Sequence, residues 1–89
     1  MRIHVVVRGQ VQGVGFRWFA REAARRWDLA GWVTNQADGS VKIAAEGNSD
    51  ALDAFRKMLE VGPRGARVES VDDAGILNDP LERPFTIVR

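Results

Sequence analysis

The sequence predicts one α+β domain over residues 1–89, in which two helices cover one face of an antiparallel sheet. The apolar patterns follow the order β-α-β-β-α-β and end with a short extra strand. This order is the split βαβ arrangement of ferredoxin-like folds. A chain of 89 residues, 45% of them hydrophobic, has enough apolar surface for one core of two layers. Because the chain has no cysteine, its stability must come from packing alone.

The first strand and helix have distinct periodicities. The β-branched run Ile3–Arg8 predicts a strand, and Gly9 ends it. A helical pattern follows, with one apolar stripe at i, i+4, i+7 and i+11 that predicts an amphipathic helix ending near Asp28. The stripe consists of Phe16, Ala20, Ala23 and Trp27.

Turn residues divide the rest of the chain. Asp38-Gly39 is a strong hairpin signal between two strand-like segments, 31–35 and 41–45. A second helix begins at Asn48 or Ser49, either of which can accept hydrogen bonds from the first turn, and ends at Gly62-Pro63. The remaining predicted elements are a strand over 66–71, a loop over 74–83 and a strand over 84–88.

The order of the strands predicts that two separate segments of the chain lie close together. Right-handed crossovers place the third strand between the first two, which therefore run in the same direction. The loop after the first strand, residues 9–15, and Asn35 at the end of the second strand are then expected at the same edge of the sheet.

The loop between the first strand and the first helix is rich in glycine, with Gly9, Gly13 and Gly15 in seven positions. Glycine tolerates positive φ, so successive N–H groups can turn inward and, with the helix N-terminus, form a cup for an anion. Arg17 in the first turn can reach back over this cup. The amides predicted to hold the anion are those of Gln12, Gly13, Val14, Gly15 and Phe16.

Other glycine motifs do not fit. A Walker loop needs Lys-Ser or Lys-Thr after its last glycine, and Phe16-Arg17 stands there instead. The dinucleotide-binding pattern has Trp18 where its third glycine should be. We therefore expect no nucleotide binding by either route.

Composition and charge exclude further classes of function. A formal charge of +1 is too small for a nucleic-acid surface, so the anion should be small. The single histidine, His4, rules out a multi-histidine metal site, and we expect it to be a packed or surface residue. No apolar stretch approaches the ~20 residues of a membrane span, and no signal peptide is recognisable. We expect no nucleic-acid or membrane partner, a cytoplasmic location and a monomer.

Two segments resemble the signatures of the acylphosphatase family. Val7–Arg17 matches the first signature, including Gly9, Val11-Gln12-Gly13-Val14 and Phe16-Arg17. Gly31-Trp32-Val33-Thr34-Asn35, followed by Gly39, Val41 and Gly47, resembles the second. Thr34 departs from the family, which more often has a longer, frequently basic side chain there.

The resemblance spans the whole chain and implies a ferredoxin-like fold, hydrolysis of a carboxyl phosphate, and no cofactor or metal. It assigns the catalytic roles to Arg17 and Asn35. Since the leaving group of an acyl phosphate is a carboxylate, the protein need only hold the phosphoryl oxygens and aim a water molecule. We expect Asn35 to orient that water, and inorganic phosphate or sulfate to be a ligand of the site.

Alternatives remain for individual residues and for the whole domain. Asn35 could be a turn residue before the hairpin, and Trp18, Trp27 and Trp32 are expected in core or edge packing. RNA-recognition domains share this element order but stack bases on aromatic residues of the central strands, which are absent from 3–8 and 41–45. A non-catalytic or accessory module that binds an acyl or carbamoyl phosphate is the stronger alternative.

Overall fold

The computed structural model describes residues 1–89 and has the predicted order of elements. Its strands and helices are β1 (Arg2–Gln10), α1 (Phe16–Arg26), β2 (Ala30–Asn35), β3 (Val41–Glu46), α2 (Ser49–Val61), β4 (Arg67–Asp73) and β5 (Thr86–Val88). Asn48 caps α2 as predicted, since its side chain accepts a hydrogen bond from the Ala51 N–H at 2.8 Å. Neither helix is long and apolar enough to cross a membrane.

The five strands lie in the order β4-β1-β3-β2-β5. β3 lies between β1 and β2 and is antiparallel to both, which confirms that β1 and β2 run in the same direction. The prediction of a purely antiparallel sheet was wrong at one edge, because β5 pairs with β2 in parallel. The chain crosses from β4 at one edge to β5 at the other through residues 74–85. Because β4 runs opposite to β1 and β2, the reversal of direction between β4 and β5 makes β5 parallel to β2.

One core lies between the sheet and the two helices. The inner face of α1 contributes Phe16, Ala20 and Ala23, and that of α2 contributes Leu52, Phe55 and Leu59. Alternate residues of the central strands pack against them, as period-2 strands require, including Val5, Val7, Val33 and Ile43. Trp27 departs from the predicted stripe: it caps α1, is 40% exposed and lies outside the core, whereas Leu29 is buried.

The connection between β4 and β5 is fastened to the sheet by several hydrogen bonds. The Arg2 guanidinium donates to the carbonyl oxygens of Leu77 and Asp79, both at 2.8 Å, and also pairs with Glu46 at 2.7 Å. His4 is buried; its Nδ1 is hydrogen-bonded to the Gly75 carbonyl at 3.2 Å. The connection therefore delivers β5 to the far edge of the sheet in a fixed position, and His4 is a packed residue, as expected.

β1 is irregular just before the glycine-rich loop. Its pairing with β4 shifts register between Arg8 and Gly9. Gly9 has a φ of 130°, and a Cβ there would collide with the carbonyl oxygen of Arg67. Only glycine allows this close approach of two backbones, which sets the direction in which the chain leaves the sheet.

Candidate active site

Strand register brings the glycine-rich loop and Asn35 to the same end of the sheet. Val7 in β1 and Asn35 in β2 both pair with Val41 of β3, so they lie level with each other on either side of it. The loop starts shortly after Val7. The predicted juxtaposition of loop and Asn35 is therefore present.

The loop carries a series of free backbone donors. Gly13 and Gly15 have φ values of 75° and 78°, and Gly15 precedes α1 without any side-chain cap. The first N–H of this region that donates within the chain is that of Phe19, to the Gly15 carbonyl at 3.0 Å. The amides predicted from the sequence, those of Gln12, Gly13, Val14, Gly15 and Phe16, donate to no acceptor in the chain. Free donors at the positive end of a helix dipole favour an anion.

A cavity of about 240 Å³ opens beside this loop. It brings together Arg17 and Asn35, as well as Gly13, Gly15 and Phe16. The other lining residues are Val11, Trp18, Arg21, Ile87 and Arg89. Gln12 and Val14 do not line it: the Gln12 side chain turns towards the β2–β3 hairpin, and Val14 packs against the core.

The electrostatics of the cavity are cationic. Three of its lining residues are arginines and none is an aspartate or glutamate. Arg17 is half-buried and makes no ion pair or hydrogen bond within the chain, so its guanidinium is free for a ligand. Arg21 instead pairs with Glu22 at 3.2 Å, and Arg89 is exposed. A guanidinium without a carboxylate partner beside free amides is a donor set for a phosphoryl group.

Asn35 presents an unsatisfied polar atom. Its Oδ1 is buried and has no hydrogen-bond partner, which ordinarily costs about 1–3 kcal/mol. The turn that follows is stabilised by another residue, because Asp38 Oδ1 accepts from the Ser40 hydroxyl at 2.6 Å and from the Ser40 N–H at 3.0 Å. These hydrogen bonds, with Arg8 nearby, hold the pKa of Asp38 below its usual value. The alternative interpretation of Asn35 as a turn residue therefore has no support from its contacts.

Two features of the site were not predicted from the sequence. The Gln12 side chain donates from Nε2 to the carbonyl oxygens of Gln36 at 2.7 Å and Ser40 at 2.9 Å, which ties the loop to the hairpin beyond Asn35. Ile87 and Arg89 reach the cavity because β5 docks beside β2. Neither feature can be predicted from the local sequence pattern, because both depend on contacts between segments that are far apart in the chain.

A larger concavity of about 420 Å³ lies at the other end of β1. Its two arginines are already engaged: Arg2 by Glu46 and two carbonyls, and Arg56 by the Val71 carbonyl at 3.0 Å and, more loosely, by Glu60. Neither of its arginines is therefore free for a ligand, unlike Arg17 in the cavity at the glycine-rich loop.

Together, the fold and the site define a ferredoxin-like α+β domain with an arginine-lined pocket between a helix N-terminus and a strand end. The family model of acylphosphatase matches residues 3–87. A Bifidobacterium longum acylphosphatase is 51% identical over 89 residues, covering 98% of this chain and 91% of the relative. The chain belongs to the acylphosphatase family, a family of hydrolases.

Solved structures support the same assignment. The crystal structure of acylphosphatase from Bacillus subtilis superposes with a TM-score of 0.85 at 35% identity, covering 99% of this chain and 98% of that one. The crystal structure of T. kodakarensis HypF contains a similar region, with a TM-score of 0.85 and 32% identity. This chain covers only 12% of that larger protein.

Proposed function

We propose that the protein hydrolyses the carboxyl-phosphate bond of acyl phosphates to a carboxylate and inorganic phosphate. In this proposal the amides of residues 12–16 and the Arg17 guanidinium hold the phosphoryl group, and Asn35 orients the attacking water. The observation that carries the proposal is the meeting, in one cavity, of an unpaired guanidinium and an unpartnered buried amide oxygen.

The reaction needs little from the protein beyond this arrangement. The water oxygen forms a bond to phosphorus while the bond from phosphorus to the carboxylate oxygen breaks, and its electron pair leaves with the carboxylate. A carboxylate is a good leaving group, so no acid has to protonate it. Charge on the phosphoryl oxygens is stabilised by N–H donors and by Arg17, whose positions are set before the reaction starts.

Asn35 acts on the water without taking its proton. Its carboxamide can form hydrogen bonds with the water, but a carboxamide is far too weak a base to deprotonate it near pH 7. No aspartate, glutamate or histidine lines the cavity, so the proton passes to a phosphate oxygen of the substrate. The rate should then not fall through the pKa of such a residue in the free enzyme, and a profile that did so would contradict this step.

The experiment is a turnover assay on the purified full chain with acetyl or benzoyl phosphate in the presence of EDTA. We expect rapid phosphate release by the native protein and at least a ~10³-fold lower kcat/KM for Arg17→Ala, with weaker inhibition by inorganic phosphate. Arg26→Ala is the matched control, because Arg26 lies on the same helix, is exposed and does not line the cavity. Native-like activity of Arg17→Ala would refute the proposed role.

The likeness to part of HypF shows that a similar region occurs inside a larger protein. The alternative function is therefore an accessory module that binds an acyl or carbamoyl phosphate without hydrolysing it. Calorimetry with inorganic phosphate separates the two functions: phosphate binding that Arg17→Ala abolishes, without turnover by the native protein, would favour the module. The phosphate or sulfate ligand, the monomeric state and the cytoplasmic location remain predictions.

A further inference from the structure

Trp18 occupies an unusual position beside the proposed site. The sequence predicts core or edge packing for this residue, but its side chain is 59% exposed and lines the cavity next to Arg17. Its ring packs against no other aromatic ring of the chain. An exposed tryptophan at the edge of a cavity offers a flat apolar surface that the fold itself does not use.

The cavity has two chemically different sides. Loop amides and Arg17 supply the polar side, whereas Trp18 and the half-buried Ile87 are apolar. A phosphoryl group held on the polar side of the cavity would leave the apolar side for the group attached to the phosphate.

We propose that the indole of Trp18 is the surface on which the acyl group of the substrate packs, so that the site favours acyl phosphates with an aromatic or large apolar acyl group. This inference rests on the proposed function, which places the phosphoryl group against the loop amides. Stacking of an aromatic acyl group on Trp18 contributes equally before and during phosphoryl transfer. It therefore lowers KM and leaves kcat unchanged.

The test compares benzoyl phosphate with acetyl phosphate, whose methyl group is too small to stack. For Trp18→Ala we expect a 3- to 10-fold lower kcat/KM with benzoyl phosphate, carried by KM, and a change below twofold with acetyl phosphate, corresponding to the usual strength of aromatic pairs of about 0.5–1.5 kcal/mol. Trp18→Phe should restore most of the loss. Trp27→Ala is the matched control, since Trp27 is also exposed, at 40%, and does not line the cavity.

The outcomes separate this inference from the proposed function. Equal losses for both substrates in Trp18→Ala, an unchanged benzoyl-to-acetyl ratio, or the same selective loss in Trp27→Ala would overturn it. If the native protein hydrolyses neither substrate, the proposed function fails. Calorimetry then tests whether Trp18 binds the acyl group. Benzoyl phosphate affinity that falls in Trp18→Ala while phosphate affinity holds supports it, and unchanged benzoyl phosphate affinity overturns it.

Discussion

Replacement of Asn35 by alanine should change activity and stability in opposite directions. The buried Oδ1 of Asn35 has no partner, and the side chain makes no hydrogen bond in the chain that the substitution would remove. Removing an unsatisfied buried acceptor relieves a cost of about 1–3 kcal/mol, partly offset by lost packing. We therefore expect a free energy of unfolding that is unchanged or about 1 kcal/mol higher.

The same substitution should slow the reaction greatly. If Asn35 orients the attacking water, its loss should lower kcat by ~10²–10³, as the loss of a single oriented polar group does in other enzymes, which corresponds to about 2.7–4 kcal/mol of transition-state stabilisation. Inhibition by inorganic phosphate should be little affected, because Arg17 and the loop amides are intact.

Asn48 provides the matched control, because it is an asparagine whose side chain has a structural partner. Its oxygen caps α2 through the 2.8 Å bond from the Ala51 N–H. Asn48→Ala should lower the free energy of unfolding by about 1 kcal/mol and leave kcat unchanged. Urea unfolding and steady-state kinetics on the native chain and both variants measure all four quantities. An Asn35→Ala protein that loses as much stability as Asn48→Ala, with kcat within fivefold of native, would refute the reasoning.

Three further perturbations follow from contacts described above. Gly9→Ala should lower the free energy of unfolding by about 3 kcal/mol or more, because the added Cβ meets the backbone of β4. Gly15 also has a positive φ, but a Cβ there meets no other atom, so Gly15→Ala should lower it by only about 1–2 kcal/mol. Urea unfolding of the two variants ranks them. Gln12→Ala removes two hydrogen bonds that tie the loop to the hairpin, so kcat should fall roughly tenfold or more, and native kcat would contradict this. Hydrogen bonds from Arg2 hold the pKa of Glu46 below its ordinary 4.5, so the stability they contribute is complete above that pH and is lost as pH falls below it. Glu46→Gln should therefore flatten this part of the curve of unfolding free energy against pH. Identical curves for the native and variant chains would contradict the role of Glu46.

Much of the fold could be predicted because local signals and topology agree. The β-branched run before Gly9, the helical stripe after Gly15 and the Asp38-Gly39 turn each determine one element. Handedness then fixes the neighbours of the central strand without any knowledge of side-chain contacts. The same topology brought Arg17 and Asn35 to one edge, and the structure places both at one cavity.

The remaining features depend on long-range contacts. Nothing in residues 84–88 specifies which edge of the sheet they join. The parallel pairing of β5 and the presence of Ile87 at the cavity could therefore not be predicted from the sequence. The exposure of Trp18 was missed for a related reason: aromatic residues are usually packed, and its position at the edge of the cavity is visible only in the three-dimensional structure.

The last strand makes the pocket a meeting point of two distant parts of the chain. β5 has only three residues, Thr86–Val88, and is secured by the buried Phe85, whose carbonyl accepts a hydrogen bond from Arg25 at 3.0 Å. So short an edge element frays at a lower free energy than the core strands do. Ligand binding in the pocket and fraying of β5 are then thermodynamically linked. A ligand that contacts Ile87 stabilises the paired state of β5, and detachment of β5 lowers the affinity for that ligand.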